Sequence, residues 1–182
     1  MQHSQPIPNN HLPRRARLLP MLVLTESVIR ASFVNCSRGE AKRLTVPNDL
    51  EMRPWDDLDF LGWRDPSAPQ RAYLVAEIDG KLAGVVLRAA THQTGRVRHS
   101  MCSFCLTTHL GGSVSLMTAP KAGPSGRQGD SVGTYLCSDL ACSLYLRGRK
   151  HAGPPAPEPL PLPERIDRVR SALATFLRKV TE

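Results

Sequence analysis

The spacing of apolar residues divides the chain into helical, extended and irregular stretches. Thr25 is placed to cap a helix, Glu26 falls in its first turn, and Val28, Ile29, Ala31, Ser32 and Phe33 form a stripe, so a helix is predicted from Thr25 to near Asn35. A second short helix is expected around Arg38 to Leu44, stopped ahead of Pro47. Alternating apolar residues on either side of Asp79-Gly80, from Arg71 to Ile78 and from Lys81 to Arg88, predict a β-hairpin with a type I′ turn. Ser113 to Met117 alternates as another strand, with Val132 to Leu136 as its return, and the Gly-, Pro- and Ser-rich stretch between them, Ala119 to Asp130, reads as a mobile loop. From about Glu164, the residues Ile166, Val169, Leu173, Phe176, Leu177 and Val180 recur at helical spacing opposite a charged face, which predicts an amphipathic helix over 164–180 docked on its own domain. The pattern is that of an α+β protein: a small antiparallel sheet with flanking helices.

The remaining stretches are irregular. Residues 1–20 are polar and proline-punctuated, and a disordered or loosely attached tail is expected there, ahead of a domain over 21–182. The apolar run Leu18 to Leu24 follows three arginines, yet it is short, contains Pro20 and leads into no small-x-small cleavage site, so a secretory signal is not expected. Residues 47–69 carry both tryptophans, expected to point inward behind a solvated acidic rim. Residues 151–163 form a proline-rich, semi-extended linker.

Composition adds a basic balance. The chain of 182 residues has a formal net charge of +8, which favours an acidic partner such as RNA or an acidic protein face. The charge is segregated: Asp49 to Asp65 holds six acids against Arg53 and Arg64, whereas Ser143 to Lys150 holds three bases and no acid.

Four of the five cysteines lie in two close pairs, Cys102/Cys105 (C-x2-C) and Cys137/Cys142 (C-x4-C). Two local turns, each presenting two thiolates to one ion, are the pattern of a structural zinc site, here a module over 100–150 with Zn²⁺ as cofactor. His109 in place of one cysteine, or two disulfides in place of a metal, are the alternatives to that reading. Arg96, Arg98, Arg147 and Arg149 are placed to balance a four-thiolate cluster. Four sulfurs leave no open coordination position, and there is no G-x-S-x-G, H-E-x-x-H or phosphate-loop pattern, so no enzyme is expected. Thiolate ligation suits a reducing cytoplasm. Cys36 stands alone as a small buried residue.

Several blocks together resemble the FBP domain family: Phe33-Val34-Asn35-Cys36-Ser37-Arg38-Gly39-Glu40, Trp55 to Asp65, Met101-Cys102-Ser103-Phe104-Cys105, Gly126-Arg127-Gln128-Gly129 and Val132 to Gly148. These are bacterial proteins similar to the C-terminal treble-clef zinc-finger domain of FusB-type elongation factor G-binding proteins. The resemblance runs from about Thr25 to the C-terminus. It implies a treble clef with Cys102, Cys105, Cys137 and Cys142 at the four zinc-ligand positions. It also implies a non-catalytic adaptor in translation that binds elongation factor G and helps it leave ribosomes stalled by fusidic acid. Resistance proteins carry an additional N-terminal helical bundle, and the residues before Thr25 are too few for one, so drug rescue is a weaker expectation than binding.

Two readings follow. In the first, the zinc site presents Tyr145, Arg147, Arg149 and Lys150 to an acidic face of elongation factor G, at or near the ribosome. In the second, the basic clusters Arg96 to His99 and Arg147 to His151 bind RNA or rRNA without specificity for elongation factor G; Phe104, Tyr135 and Tyr145 are the few aromatics near enough to stack on bases. Neither a membrane nor a small-molecule substrate is expected as a partner.

Overall fold

A computed structural model of the protein describes residues 21–90, 99–153 and 158–182. The expected N-terminal tail, the Arg96 to Arg98 part of a basic cluster and the middle of the proline-rich linker lie outside the described residues.

The frame is a five-stranded antiparallel sheet built from β1 (Leu61–Arg64), β2 (Arg71–Ile78), β3 (Lys81–Ala89), β6 (Val114–Pro120) and β7 (Ser131–Cys137), adjacent in that order. Two further strands, β4 (His99–Met101) and β5 (Thr108–Leu110), form a separate small hairpin inserted between β3 and β6. The β2–β3 hairpin turns at Asp79 (φ 51°) and Gly80 (φ 76°), the pair of positive φ values of the expected type I′ turn.

Because side chains alternate across a strand, each face of the sheet carries its own apolar set. Leu61, Trp63, Tyr73 and Val75 face α1 (Glu26–Ala31) and α2 (Arg38–Arg43), together with Leu24, Ile29, Ala41, Leu44, Trp55 and Leu58. On the other face Ala72, Leu74, Ala76, Val85 and Leu87 pack against the cysteine region and a long helix, α5 (Leu162–Thr181). Two cores therefore share one sheet. Helix α5 buries Val169, Leu173, Phe176, Leu177 and Val180, and its Phe176 ring meets Phe104 edge-on at 6.1 Å. The amphipathic helix thus packs on its own chain, starting two residues earlier than its periodicity suggests because Pro163 is tolerated in the first turn.

Helix α1 stops at Ala31, short of the predicted Asn35. The chain instead leaves the helix to bond the sheet: Gly84 N–H donates to the Ser32 carbonyl (2.8 Å) and Val34 N–H to the Gly84 carbonyl (2.9 Å). Tertiary pairing here outcompetes helical periodicity. Asn35 then bridges strands, its Nδ2 donating to the Val86 and Pro120 carbonyls (3.0 Å each) and its Oδ1 accepting from Val86 N–H (2.8 Å).

Helix α2 has the Ser37/Glu40 capping box at its start, and the Arg30 guanidinium donates to the carbonyls of Ala41, Lys42 and Leu44 at its end. Both indoles point inward as expected, Trp55 Nε1 donating to Leu50 O and Trp63 Nε1 to Thr45 O, each at 2.8 Å.

The β6–β7 connection differs from the expected mobile loop. Residues Gly123–Arg127 form a helical turn, α3, and Lys121 N–H donates to Asp130 O at 2.9 Å, closing the hairpin immediately beyond its last pair, Pro120 with Ser131.

Candidate metal centre

The cysteines come from three local structures. Cys102 and Cys105 lie in the turn between β4 and β5, Cys137 is the last residue of β7, and Cys142 is the first of α4 (Cys142–Leu146). The first turn is shaped by its backbone: Leu106 N–H donates to Cys102 O (3.0 Å), Cys102 N–H to Thr107 O (3.1 Å), and Phe104 N–H to Cys102 Sγ (3.4 Å). Ser103 N–H donates to Tyr135 O at 2.8 Å, fixing this turn to the β7 edge. In the second, Leu140 N–H donates to Cys137 O (2.8 Å). Leu106 (φ 55°) and Leu140 (φ 57°) both adopt the left-handed conformation that side chains disfavour, one in each cysteine turn.

Close approach of the sheet holds the second turn. A Cβ on Gly62 of β1 would lie 2.5 Å from Leu140 Cβ, so no larger residue fits there without moving the turn. Behind the first turn, Phe104 is buried between Phe60 and Phe176.

All four sulfurs lie within 4.8 Å of one another and all four residues are buried. The Cys102–Cys142 and Cys105–Cys137 sulfur pairs are 3.6 and 3.5 Å apart, and none of the four is in a disulfide. A tetrahedron of thiolates at about 2.3 Å from zinc has edges of about 3.8 Å, so this donor set fits the ion with little adjustment. Zinc there would cross-link the two turns and leave no vacant position on the metal. Four thiols this close compete for protons: hydrogen bonds from the Cys105, Cys137 and Cys142 thiols drive Cys102 down, while bonding to Cys102, Cys105 and Cys137 drives Cys142 up.

His109 stands outside this set. Its Nε2 is 3.3 Å from Cys137 Sγ and its ring meets Tyr145 edge-on at 4.7 Å. Burial pushes its pKa down, which favours a neutral imidazole able to donate one N–H to sulfur. The alternative of His109 replacing a cysteine is therefore not what the geometry assembles.

The basic residues after Cys142 separate into different environments. Arg147 is turned inward, its side chain 9% exposed, and makes a bidentate pair with Asp59 (2.6 and 3.0 Å). Arg149 reaches Asp57 at 3.1 Å with 67% of its side chain exposed. Lys150 pairs with Asp139 (2.5 Å) and lies over the Tyr145 ring, whose hydroxyl donates to Asp139 at 2.9 Å. The expected balancing of the thiolates by Arg147 and Arg149 is thus replaced by pairing with carboxylates. Asp57 and Asp59 of the acidic segment pair with Arg149 and Arg147 of the basic one, although the two segments lie far apart along the chain.

Asp59 is the residue that sequence reading missed. Its side chain is fully buried, bonded to Arg147 and to Arg170 of α5 (2.8 Å), and its N–H donates to Ser143 Oγ (3.0 Å). A lone acid between Leu58 and Phe60-Leu61 is the signal that sets it apart from the solvated rim.

A family model described as FBP C-terminal treble-clef zinc-finger matches residues 28–180. The chain belongs to the FBP C-terminal treble-clef zinc-finger family. The cysteine turns, the β6–β7 hairpin and α4 supply the treble-clef elements, and the buried four-cysteine set fits the zinc of that family. Among solved structures, the fusidic acid resistance protein FusC is similar, with a TM-score of 0.50 and 17% identity over 94% of this chain and 60% of that chain. At that identity the likeness is one of fold, and the FBP-family chain spans 60% of the FusC chain it matches. No curated protein matches the sequence. Among the described residues no helix is long and apolar enough to cross a membrane.

Proposed function

We propose that Cys102, Cys105, Cys137 and Cys142 hold one structural Zn²⁺, and that the domain so fixed is a non-catalytic cytoplasmic adaptor of bacterial translation, docking on elongation factor G. The observation that carries this reading is the family match over 28–180, which takes in the whole sheet, both cysteine turns and α5. The fold likeness to a fusidic acid resistance protein supports the same direction and extends the proposal to release of elongation factor G from the stalled ribosome.

Of the four residues expected to meet the partner, Arg149 and Lys150 keep exposed cationic ends. Tyr145 and Arg147 contribute from behind, the first by supporting Lys150 and the second by anchoring the segment to Asp59. Calorimetric titration and co-elution with elongation factor G from the same organism test the proposal. Saturable binding weakened by Arg149→Glu supports it; neither heat nor co-elution at about 50 μM, well above the affinity of a specific complex, overturns it.

RNA binding is the second reading, favoured by the net charge of +8 and by Tyr135, 55% exposed on β7. It requires an affinity that falls steeply as salt is raised.

A further inference from the structure

On the face of the sheet away from the cysteines, a hollow of about 310 Å³ opens beside α2. Arg43 of α2, Arg71 of β2 and Arg88 of β3 line it, over a wall that includes Asn35 and Tyr73. Arg71 and Arg88 are direct partners in the antiparallel register, on the same face as the Tyr73–Val86 pair. Like charges placed opposite each other across a ladder are unfavourable. Among the described residues none of the three arginines takes part in an ion pair, whereas Arg147, Arg149, Arg168, Arg170 and Arg178 all do.

The nearby acids form no ion pair with the three arginines, although after the capping hydrogen bonds from Ser37 the charges of Arg71 and Arg43 also help hold the Glu40 carboxyl below its ordinary pKa. Glu40, on the wall, accepts Ser37 N–H at 2.9 Å in the capping box of α2. Asp65, beneath Tyr73, accepts from Ser67 N–H, Ser67 Oγ and the Tyr73 hydroxyl, so both its oxygens are used. Asn35 spends both ends of its amide on Val86 and Pro120, which makes it a rigid wall.

We propose that this hollow binds the phosphate group of a small molecule through Arg43, Arg71 and Arg88. Three guanidinium forks match the oxygens of a phosphate monoester, and its two negative charges match the surplus of three arginines over one glutamate on the wall. The volume lies at the lower end of the range for ligand pockets, about 300–1,000 Å³, enough for a phosphate and a small attached group. The site stands apart from the cysteine centre and does not depend on the docking proposal.

Cys36 lies in the wall of the hollow and reports on it. With the full, zinc-loaded chain, alkylation of Cys36 by iodoacetamide is followed by mass spectrometry during titration with inorganic phosphate, adenosine monophosphate or adenosine. Both phosphates are expected to slow the reaction saturably and adenosine to leave it unchanged. Arg71→Gln, Arg88→Gln and Arg43→Gln are each expected to weaken binding by about 10-fold or more, as loss of a charge-assisted contact does. The melting temperature of Arg71→Gln and Arg88→Gln should hold or rise, because a like-charge opposition is removed. Tighter binding of the nucleotide than of phosphate identifies a phosphorylated small molecule; equal binding identifies a bare oxyanion. No saturation by either phosphate at about 10 mM, equal slowing by adenosine, or unchanged affinity in all three variants overturns the proposal.

Discussion

Arg147 and Asp59 form a bidentate ion pair inside the protein, joining the segment that follows the last cysteine to the acidic segment that precedes β1. Asp59 has no exposed side-chain surface and also holds Arg170, so one carboxylate gathers the cysteine region and α5. Breaking a buried pair from one side leaves an uncompensated charge, at about 3–5 kcal/mol. Arg147→Ala and Asp59→Ala are each expected to lower unfolding free energy by that order in urea denaturation. The double variant should lose less than the two single losses together, since the stranded charge is removed with its partner.

Arg149 offers the contrast. Its side chain is mostly exposed, and a surface ion pair of that kind is worth about 0–1 kcal/mol. Arg149→Ala should therefore leave the melting temperature nearly unchanged while weakening the proposed docking, measured by titration with elongation factor G. Arg147→Ala should lower the melting temperature and, where the protein remains folded, also weaken docking by freeing the segment that carries Arg149 and Lys150.

Asn35 supplies a strand partner where β3 and β6 diverge, their ladder holding only the Arg88–Thr118 and Ala89–Met117 pairs. Its removal leaves the Val86 N–H and two carbonyls without their bonds; all three bonds are only part-buried, so water recovers much of the about 1–3 kcal/mol that each group would cost if fully buried. Asn35→Ala is expected to destabilise by about 2–4 kcal/mol, and Asn35→Asp by as much, because a carboxylate cannot donate to the Val86 and Pro120 carbonyls. Thermal and urea unfolding check both.

Asp65 gives the fold an acid limit. Burial pushes its pKa up, but hydrogen bonds from Ser67 and Tyr73 outweigh burial and hold it below the ordinary carboxylate value. A depressed folded pKa contributes stability that is complete above the unfolded value, about 3.9, and lost as pH falls through the folded value. Its partner Tyr73 is pushed up to about 12, by burial first and by Asp65 second, so its contribution is present below the unfolded value and fades as pH rises toward 12. Tyr73→Phe should raise the acid-unfolding midpoint and reduce the alkaline dependence, as followed by circular dichroism; Tyr145, also pushed up by burial and by Asp139, keeps its share.

Much of this was legible in the sequence, and the misses have physical causes. The hairpin at Asp79-Gly80 and the four cysteines are local signals, a turn chemistry and a spacing, and both appear where expected. Helix α1 ends ahead of its apolar periodicity because Gly84, some fifty residues away, offers Ser32 and Val34 better backbone partners than another helical turn does. The Ala119 to Asp130 stretch reads as loose by composition, yet pairing of its flanking strands and the Lys121–Asp130 bond order it. Asp59 and Arg147 read as a rim acid and a surface base, since a long-range pair leaves no local periodicity behind.

Removal of the metal bears on the whole cysteine-side core. The four sulfurs, Phe104 and α5 belong to one apolar cluster, and structural zinc in small sites contributes about 10–16 kcal/mol, as much as the net stability of a domain. A strong chelator is expected to expose Phe104 and Phe176 together, measured by hydrogen exchange, with β2 protection falling as well. His109 braces Cys137 from outside, and loss of such a partner reduces metal affinity by about 10–100-fold. His109→Ala should thus release zinc faster in a colorimetric competition assay.

Zinc stoichiometry and coordination in the purified chain bear most directly on the proposed centre. Elemental analysis combined with X-ray absorption at the zinc edge should give one zinc per chain with four sulfurs at about 2.3 Å. It should fall to a small fraction in Cys102→Ser and Cys142→Ser, while Cys36→Ser retains the metal. A shell containing a histidine nitrogen, full occupancy in the Cys102 or Cys142 variant, or no bound zinc after expression with the metal supplied would contradict the assignment.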